Sequence, residues 1–280
     1  MWYTYIGDEM KNIFKAILII FVFLYALFLI GKGDKMSDEE NNNNVISYSN
    51  MPNYKEENKK RYIKYGKNNE ELSMEEVIKR VNINLDVNFY EDIKEAINKN
   101  TNLVLVNKHY YLDENYIPNN LLLVDYKYTS GIKVYAEKEA KEKFEEMSTD
   151  ASIVGLTIKT ISAYRSYEYQ EKLYEQYLLN DPQEIVDTYS ARKGHSEHQT
   201  GLSFDVYNVV KPYTSFGTTK EYEWVKINAH KYGFIIRYTK DNEYITGYKD
   251  EPWHLRYVGV DNATYIYENN ITLEEYLLNK

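Results

Sequence analysis

Residues 194–208 read GHSEHQTGLSFDVYN, and this stretch decides how the rest of the chain is interpreted. It contains an imidazole, His198, and a carboxylate, Asp205, seven positions further on. Gly201 lies between them and permits a turn, so a loop imidazole and a strand carboxylate can converge on one ion. By itself this spacing is a weak signal, because many proteins contain it by chance.

A second stretch, residues 247–259, reads GYKDEPWHLRYVG and supplies the rest of a metal site. Pro252 cannot donate to a strand ladder, so we expect a strand to start close to it. Glu251 then precedes this strand, and His254 lies on it. Two imidazoles and one carboxylate are the protein ligands of a typical hydrolytic zinc centre, which keeps a fourth position open for water. Glu251 is the candidate base beside that water.

The composition of the whole chain excludes several classes of protein. Its 280 residues suffice for one sizeable domain with extra segments, and its net charge is -9. No long basic run is present, so we expect no binding to nucleic acid. The chain has no cysteine, which excludes cysteine-ligated zinc, a thiol nucleophile and disulfides. A serine hydrolase lacks support, because no G-x-S-x-G motif occurs.

The N-terminal residues predict a membrane anchor. Residues 13–30 are apolar except for Lys15, and as a helix they would be about 27 Å long, close to the hydrocarbon thickness of about 30 Å. A cleaved signal peptide is the alternative, but no A-x-A-like site follows. We therefore expect residues 1–35 to form a cytoplasmic tip and a transmembrane signal anchor. Lysines flank both ends equally, so an extracellular position of the remaining chain is inferred from its chemistry.

The polar residues 36–73 predict a flexible spacer, with a solvated helix near residues 55–67 as the alternative. From residue 74 to residue 280 we expect one α+β domain, in which a small antiparallel sheet is flanked by helices. The predicted strands cover residues 81–87, 103–106, 156–163, 202–206, 234–238 and 253–258. The predicted helices cover residues 90–97, 134–147, 167–179, 222–232 and 273–278.

Six stretches of this sequence together resemble the VanY-type D-alanyl-D-alanine carboxypeptidases. Besides the two quoted above, they are LVLVNKHYYLDENYIP from residue 103, SAYRSYEYQ from 162, AHKYGFIIRY from 229 and ITLEEYL from 271. The VanY-type enzymes belong to a group of zinc peptidases that shares its fold with the hedgehog signalling domain. The resemblance implies this hedgehog/DD-peptidase-like fold and one Zn²⁺ per chain.

The resemblance also implies the roles of individual side chains. The implied zinc ligands are His198, Asp205 and His254. Glu251 matches the base that activates the bound water, and Arg165 matches the arginine that steadies the substrate and the oxyanion. Ser196 and Gln170 match substrate-contacting positions. Without the resemblance, Arg165 would be taken for a salt-bridge partner and Glu251 for a surface carboxylate. His195 could compete as a ligand, but we expect it to flank the site.

Together with the predicted zinc centre, the resemblance implies a zinc-dependent D,D-carboxypeptidase that removes the terminal D-Ala from peptidoglycan peptide stems ending in D-Ala-D-Ala. We expect it at the cell membrane, as a single-pass protein with an extracellular catalytic domain at residues 74–280. A cell-wall endopeptidase or a D,D-dipeptidase with the same zinc centre is one alternative, because the ligands do not distinguish the cleaved bond. A catalytically inactive wall-binding module on the same fold is another.

Overall fold

The computed structural model describes residues 48–278 and Lys280. The predicted membrane anchor at residues 13–30 lies outside this part of the chain, as does the start of the predicted spacer. Among the residues that are described, no helix is both long enough and apolar enough to cross a membrane. The chain divides into two compact units, Met1–Val81 and Asn82–Lys280.

The described part of the first unit contains two α-helices, α1 (Lys59–Asn68) and α2 (Met74–Asn82). The buried core of this unit consists of Tyr48, Tyr62, Val77, Ile78 and Val81. Our expectation of a flexible spacer is therefore wrong for residues 59–68, where the buried Tyr62 gives the helix an apolar side that packs. The alternative of a helix near residues 55–67 is closer to the structure. Most of α2 groups with this unit and not with the larger one.

The second unit contains eight strands and seven α-helices among its described residues, besides short 3₁₀ helices. The strands are β1 Lys94–Glu95, β2 Tyr110–Tyr111, β3 Leu121–Leu123, β4 Tyr135–Glu137, β5 Lys159–Ser162, β6 Ser203–Tyr207, β7 Phe234–Ile236 and β8 His254–Tyr257. The helices are α3 Lys138–Ile153, α4 Tyr167–Leu178, α5 Gln183–Val186, α6 Lys220–Asn228, α7 Glu243–Thr246, α8 Val260–Asn269 and α9 Leu273–Leu277.

A four-stranded antiparallel sheet, in the order β5-β6-β8-β7, is the centre of this unit. Asp205 on β6 lies opposite His254 on β8. Because side chains alternate between the two faces of a strand, Phe204 and Leu255 lie on the face opposite to Asp205 and His254. The side chains of Phe204 and Leu255 belong to the main hydrophobic core. The strand pairing thus places the two polar side chains together on the other face.

Helices cover the sheet, as we predicted for an α+β fold. The apolar stripe of α3 includes Phe144, whose ring stacks on Phe204 at a centroid distance of 4.7 Å. Ile266 of α8 and Leu273 of α9 form a second cluster with Ile235 and Val258. The prediction of a small antiparallel sheet flanked by helices is therefore confirmed. In addition, two pairs of short strands, β1-β2 and β3-β4, lie outside the main sheet.

Three of the predicted elements are wrong. Residues 81–87 end a helix and form a turn with Asn84 at φ +66°, so their alternation of apolar and polar residues does not correspond to a strand. The expected helix at 90–97 is absent, because Tyr90 and Asp92 have positive φ values and residues 94–95 form β1. Residues 103–106 are largely buried but pair with no strand among the described residues; the Val104 carbonyl instead accepts a hydrogen bond from an arginine side chain.

One predicted helix starts later than expected. Residues 135–137 of the range 134–147 form β4, and helix α3 follows as Lys138–Ile153. The Glu137 side chain accepts hydrogen bonds from the first backbone N–H groups of α3, so it caps this helix and fixes its start. The remaining predicted strands and helices lie within a few residues of their positions in the structure.

Candidate metal centre

The three predicted metal ligands meet at one end of the paired strands β6 and β8. His198 lies in a short 3₁₀ helix, Glu197–Thr200, while Asp205 and His254 lie opposite each other in the sheet. Gly201 ends the 3₁₀ helix at φ +70°, and a Cβ there would lie 2.9 Å from the Leu121 side chain. This close approach requires glycine and directs the chain from the imidazole into β6.

The ligand atoms of His198, Asp205 and His254 all lie within 4.8 Å of one another, and the three residues are buried. His198 Nε2 is 3.3 Å from Asp205 Oδ2, and His254 Nδ1 is 3.4 Å from Asp205 Oδ1. His198 Nδ1 is 2.6 Å from the Ala163 carbonyl, which can only accept, so Nδ1 carries the proton. The His198 Nε2 lone pair then faces the centre, where it forms no hydrogen bond with the described residues.

This donor set fits a divalent cation. A buried nitrogen lone pair without a hydrogen-bond partner is costly unless a cation is bound to it. Burial, helped by Arg165, lowers the pKa of His198 to about 4, so this imidazole is neutral at pH 7, as a metal ligand must be. Burial would raise the pKa of Asp205, but its contacts with the two histidines outweigh it and hold that pKa well below the ordinary value. The carboxylate is therefore charged.

Glu251 lies beside these ligands, on the segment that precedes β8. Its Oε2 is 3.7 Å from His254 Nδ1, and its backbone N–H donates to the Tyr238 carbonyl at 3.0 Å. Burial raises the pKa of Glu251 to about 7; His254 opposes this shift and Asp205 adds to it. A carboxylate with a pKa near neutrality can both take and return a proton at physiological pH, which suits a general base.

The other predicted site residues line the same cavity as Glu251 and the three ligands. Arg165 places Nη1 3.6 Å from Asp205 Oδ2, and its Nε is buried without a hydrogen bond to any described residue. Ser196 accepts a hydrogen bond from the backbone N–H of His198, so its hydroxyl shapes the ligand loop. Gln170 donates to the Ala191 carbonyl at 2.7 Å, and no described residue forms a hydrogen bond with its buried Oε1. The roles of these three in substrate binding stay predictions.

The cavity has a volume of about 350 Å³ and is lined mainly by aromatic and charged side chains. Its aromatic lining consists of Tyr177, Tyr189, Tyr213, Tyr238, Tyr248 and Trp253. His195, the possible competing ligand, does not line it. The His195 ring instead has Nδ1 2.8 Å from the Asn107 carbonyl and packs edge-on against Tyr90. His195 is thus outside the metal group, as we expected.

Glu197, for which the sequence predicted no role, lies behind His254. Glu197 Oε2 is 3.5 Å from His254 Nε2, and its Oε1 accepts hydrogen bonds from Arg237 Nε at 2.8 Å and Arg256 Nη1 at 3.0 Å. Burial would raise the pKa of Glu197, but the two arginines outweigh it and hold the carboxylate charged. The sequence contained one signal for this carboxylate. Positions 254 and 256 of one strand share a face, so a buried Arg256 beside His254 requires an acidic partner close to the metal site.

Comparisons with known proteins agree with this geometry. The family described as VanY, D-alanyl-D-alanine carboxypeptidase, matches residues 133–260. The putative carboxypeptidase YodJ of Bacillus subtilis is 40% identical over 204 residues, which are 69% of this chain and 75% of YodJ.

Two solved structures are also similar. The LdcB LD-carboxypeptidase has 38% identity and a TM-score of 0.62, covering 67% of this chain and 90% of LdcB. A mutant of the vancomycin-resistance D,D-pentapeptidase VanY in complex with Zn(II) has 30% identity and a TM-score of 0.53, covering 63% of this chain and 98% of that one. The chain belongs to the VanY family of D-alanyl-D-alanine carboxypeptidases.

Proposed function

We propose that this protein is a zinc-dependent D-alanyl-D-alanine carboxypeptidase that removes the terminal D-Ala from peptidoglycan peptide stems. The observation that carries the proposal is the group of His198, Asp205 and His254 in one cavity, with Glu251 beside it. Two imidazoles and one carboxylate are a donor set of catalytic zinc sites. Burial alone would lower the pKa of His254, but the Asp205 and Glu197 carboxylates raise it to about 9, so an ion that binds there displaces a proton from this ring. The similar D,D-pentapeptidase structure contains Zn(II), which supports the same ion here.

Each of the main residues in the cavity has a separate role in the proposed hydrolysis. When bound, Zn²⁺ polarises the scissile carbonyl and lowers the pKa of a water molecule. Glu251 takes the proton of that water and passes it to the leaving amine. Arg165 offers a planar, permanently charged fork that can bind a carboxylate or a developing oxyanion. The aromatic lining provides an apolar wall for the end of a peptide.

Mass spectrometry of stem peptides tests the proposal. A stem pentapeptide ending in D-Ala-D-Ala is incubated with the full chain, with added Zn²⁺ or with a chelator. We expect the loss of a single alanine with Zn²⁺, no cleavage with the chelator, and recovery when Zn²⁺ is restored. Full activity of a metal-free preparation would contradict the metal mechanism. An unchanged peptide in the presence of Zn²⁺ would favour an inactive wall-binding module.

The second candidate activity for this chain is that of an L,D-carboxypeptidase. The LdcB LD-carboxypeptidase supports it, because its structure is similar to this chain at a TM-score of 0.62 and its sequence is 38% identical. Both activities remove a terminal D-Ala, and they differ in the chirality of the residue before it. The same experiment with a stem tetrapeptide, whose terminal D-Ala follows an L-centre, distinguishes them. Cleavage of the pentapeptide alone supports the D,D activity. Release of a dipeptide, or cleavage within the stem, would instead indicate a dipeptidase or an endopeptidase.

We also propose that residues 1–35 anchor the chain in the cell membrane, with the catalytic unit outside the cell. The apolar run at residues 13–30 supports the anchor, and the substrate in the cell wall supports the orientation. Fractionation of cells with alkaline carbonate tests the anchor, and protease treatment of intact cells tests the orientation. Extraction of the chain by carbonate would contradict the membrane anchor. Protection of the chain from the external protease would contradict the extracellular orientation.

A further inference from the structure

Lys108 is a buried cation that the proposed chemistry does not use. Its side chain lies in the interior of the second unit and is absent from the lining of the catalytic cavity. Among the residues that the structure describes, it forms no ion pair with a carboxylate. Burial lowers its pKa to about 8, while Asp187 and Arg192 act on it in opposite directions. A buried ammonium group is costly, so its compensating contacts are informative.

Two backbone carbonyls and three aromatic rings surround the ammonium group. Lys108 Nζ donates to the carbonyls of Asp187 and Gly247, each at 2.6 Å. The same nitrogen lies 4.3 Å from the ring centroid of Tyr248 and 4.9 Å from that of Phe89, within the range of cation–π attraction. The third ring is Tyr90, at 5.6 Å. These groups hold the cation in one place.

The two carbonyls belong to two different loops that form walls of the catalytic cavity. The first loop, residues 187–191, contributes Tyr189, Ser190 and Ala191 to the lining. The second loop, residues 247–251, contributes the side chains from position 248 onward and ends at the proposed base, Glu251. A backbone hydrogen bond of 2.8 Å from Lys249 to Thr188 also joins the loops. Lys108 therefore links both loops from the side that faces away from the cavity.

Gly247 shows how close this contact is. Its φ is +73°, and a Cβ at this position would lie 2.9 Å from Lys108 Nζ and 2.6 Å from the Phe89 ring. The backbone of the second loop can approach the cation only because no side chain intervenes. Glu251 follows four positions later, so the position of Gly247 contributes to the position of the base.

We propose that Lys108 is a positioning residue, which binds the two cavity loops together from behind and thereby places Glu251 relative to the opposite wall. This inference rests in part on the proposed function, because it names Glu251 as the base. The link that Lys108 forms between loops 187–191 and 247–251, called the clamp below, depends only on the contacts of the ammonium group. It acts through the backbone of Gly247 and Asp187 and not through contact with substrate or metal.

Hydrogen exchange tests the clamp without any assay of activity. In the full chain, Lys108→Met keeps an unbranched apolar side chain in the aromatic surroundings but cannot donate to either carbonyl. We expect faster amide exchange in both loops, 187–191 and 247–251, with the rest of the second unit unchanged. Lys133→Met, which removes an exposed lysine, is the matched control and should leave both loops as in wild type. Unchanged exchange in the two loops, or faster exchange throughout the unit, would overturn the clamp.

Kinetics and metal binding complete the test. For Lys108→Met we expect unchanged Zn²⁺ affinity and a loss in kcat/KM on the order of 10- to 100-fold, the size of effect that a small misplacement of a catalytic group produces. An unchanged kcat/KM with loosened loops would show that the loops do not position Glu251 and would overturn the inference. If wild type cleaves no stem peptide, the proposed function fails, while the exchange data still decide on the clamp. If Lys108→Met does not fold, Lys108→Gln, whose shorter amide cannot reach both carbonyls, takes its place.

Discussion

Glu197 lies directly behind His254, with its Oε2 3.5 Å from the Nε2 atom of the imidazole. At this distance the contact is electrostatic and not a hydrogen bond. A negative charge behind Nε2 favours a proton on that atom, which leaves the Nδ1 lone pair for a metal ion on the other side of the ring. The Glu197 carboxylate is itself fixed, because its Oε1 accepts hydrogen bonds from Arg237 and Arg256. Arg237 in turn pairs with Glu274 of helix α9, so the buried group contains two positive and two negative charges.

The first prediction concerns this contact. Glu197→Gln keeps the size of the side chain but removes the charge that orients His254, so we expect Zn²⁺ affinity to fall by about 10- to 100-fold. Competition with a chromophoric chelator measures this affinity independently of hydrolysis. Glu114→Gln, on an exposed turn, is the control and should bind Zn²⁺ as wild type does. Equal affinities for the two variants would show that Glu197 does not orient the ligand.

The second prediction separates the base from the metal ligands. Glu251→Gln cannot take a proton from water, so we expect kcat to fall by roughly 10²- to 10⁴-fold, the usual contribution of a general base. Zn²⁺ affinity should remain, because Glu251 is not among the three ligands. Steady-state kinetics on a stem pentapeptide and chelator competition provide the two measurements. If Glu251→Gln hydrolysed the pentapeptide at the wild-type rate, Glu251 would not be the general base.

The third prediction concerns Arg165, whose guanidinium Nε has no hydrogen-bond partner in the part of the chain that the structure describes. Arg165→Lys keeps the positive charge but loses the planar fork, so we expect kcat/KM to fall by about 10²- to 10³-fold, as when an oxyanion donor is removed. Arg80→Lys, in the first unit, changes a partly exposed arginine in the same way and serves as the control. If Arg165→Lys were as active as this control, charge alone would suffice at the position.

The fourth prediction follows from the burial of Lys108, whose pKa is lowered from its ordinary value of 10.5 to about 8. Between these two values the unfolded chain binds a proton that the folded chain has released, so the contribution of Lys108 to the free energy of unfolding rises with pH. Relative to Lys108→Met, wild type should gain up to about 3 kcal/mol across this window. Urea unfolding at several pH values measures the difference, and a constant difference would contradict the burial of the cation.

The sequence predicted the metal centre well because its donors lie in two short segments. The spacing of His198, Gly201 and Asp205 indicated a turn into a strand, and Pro252 indicated the start of the strand that contains His254; the structure has both features. Burial alone, however, did not identify strands. Val104 and Val106 are fully buried, but their segment pairs with no strand within residues 48–278 and instead supplies a carbonyl to Arg256.

By itself, the sequence determined the donor set, the candidate base and the order of most helices and strands, since these depend on residue types and on patterns a few positions long. The tertiary structure alone decided which buried charges meet. Glu197 and His254, like Lys108 and Gly247, are distant in the chain, and they come together through the pairing of β6 with β8 and the packing of loops. The physical reason is that the effect of a buried charge depends on its partners, and a local pattern of residues does not specify partners from distant segments.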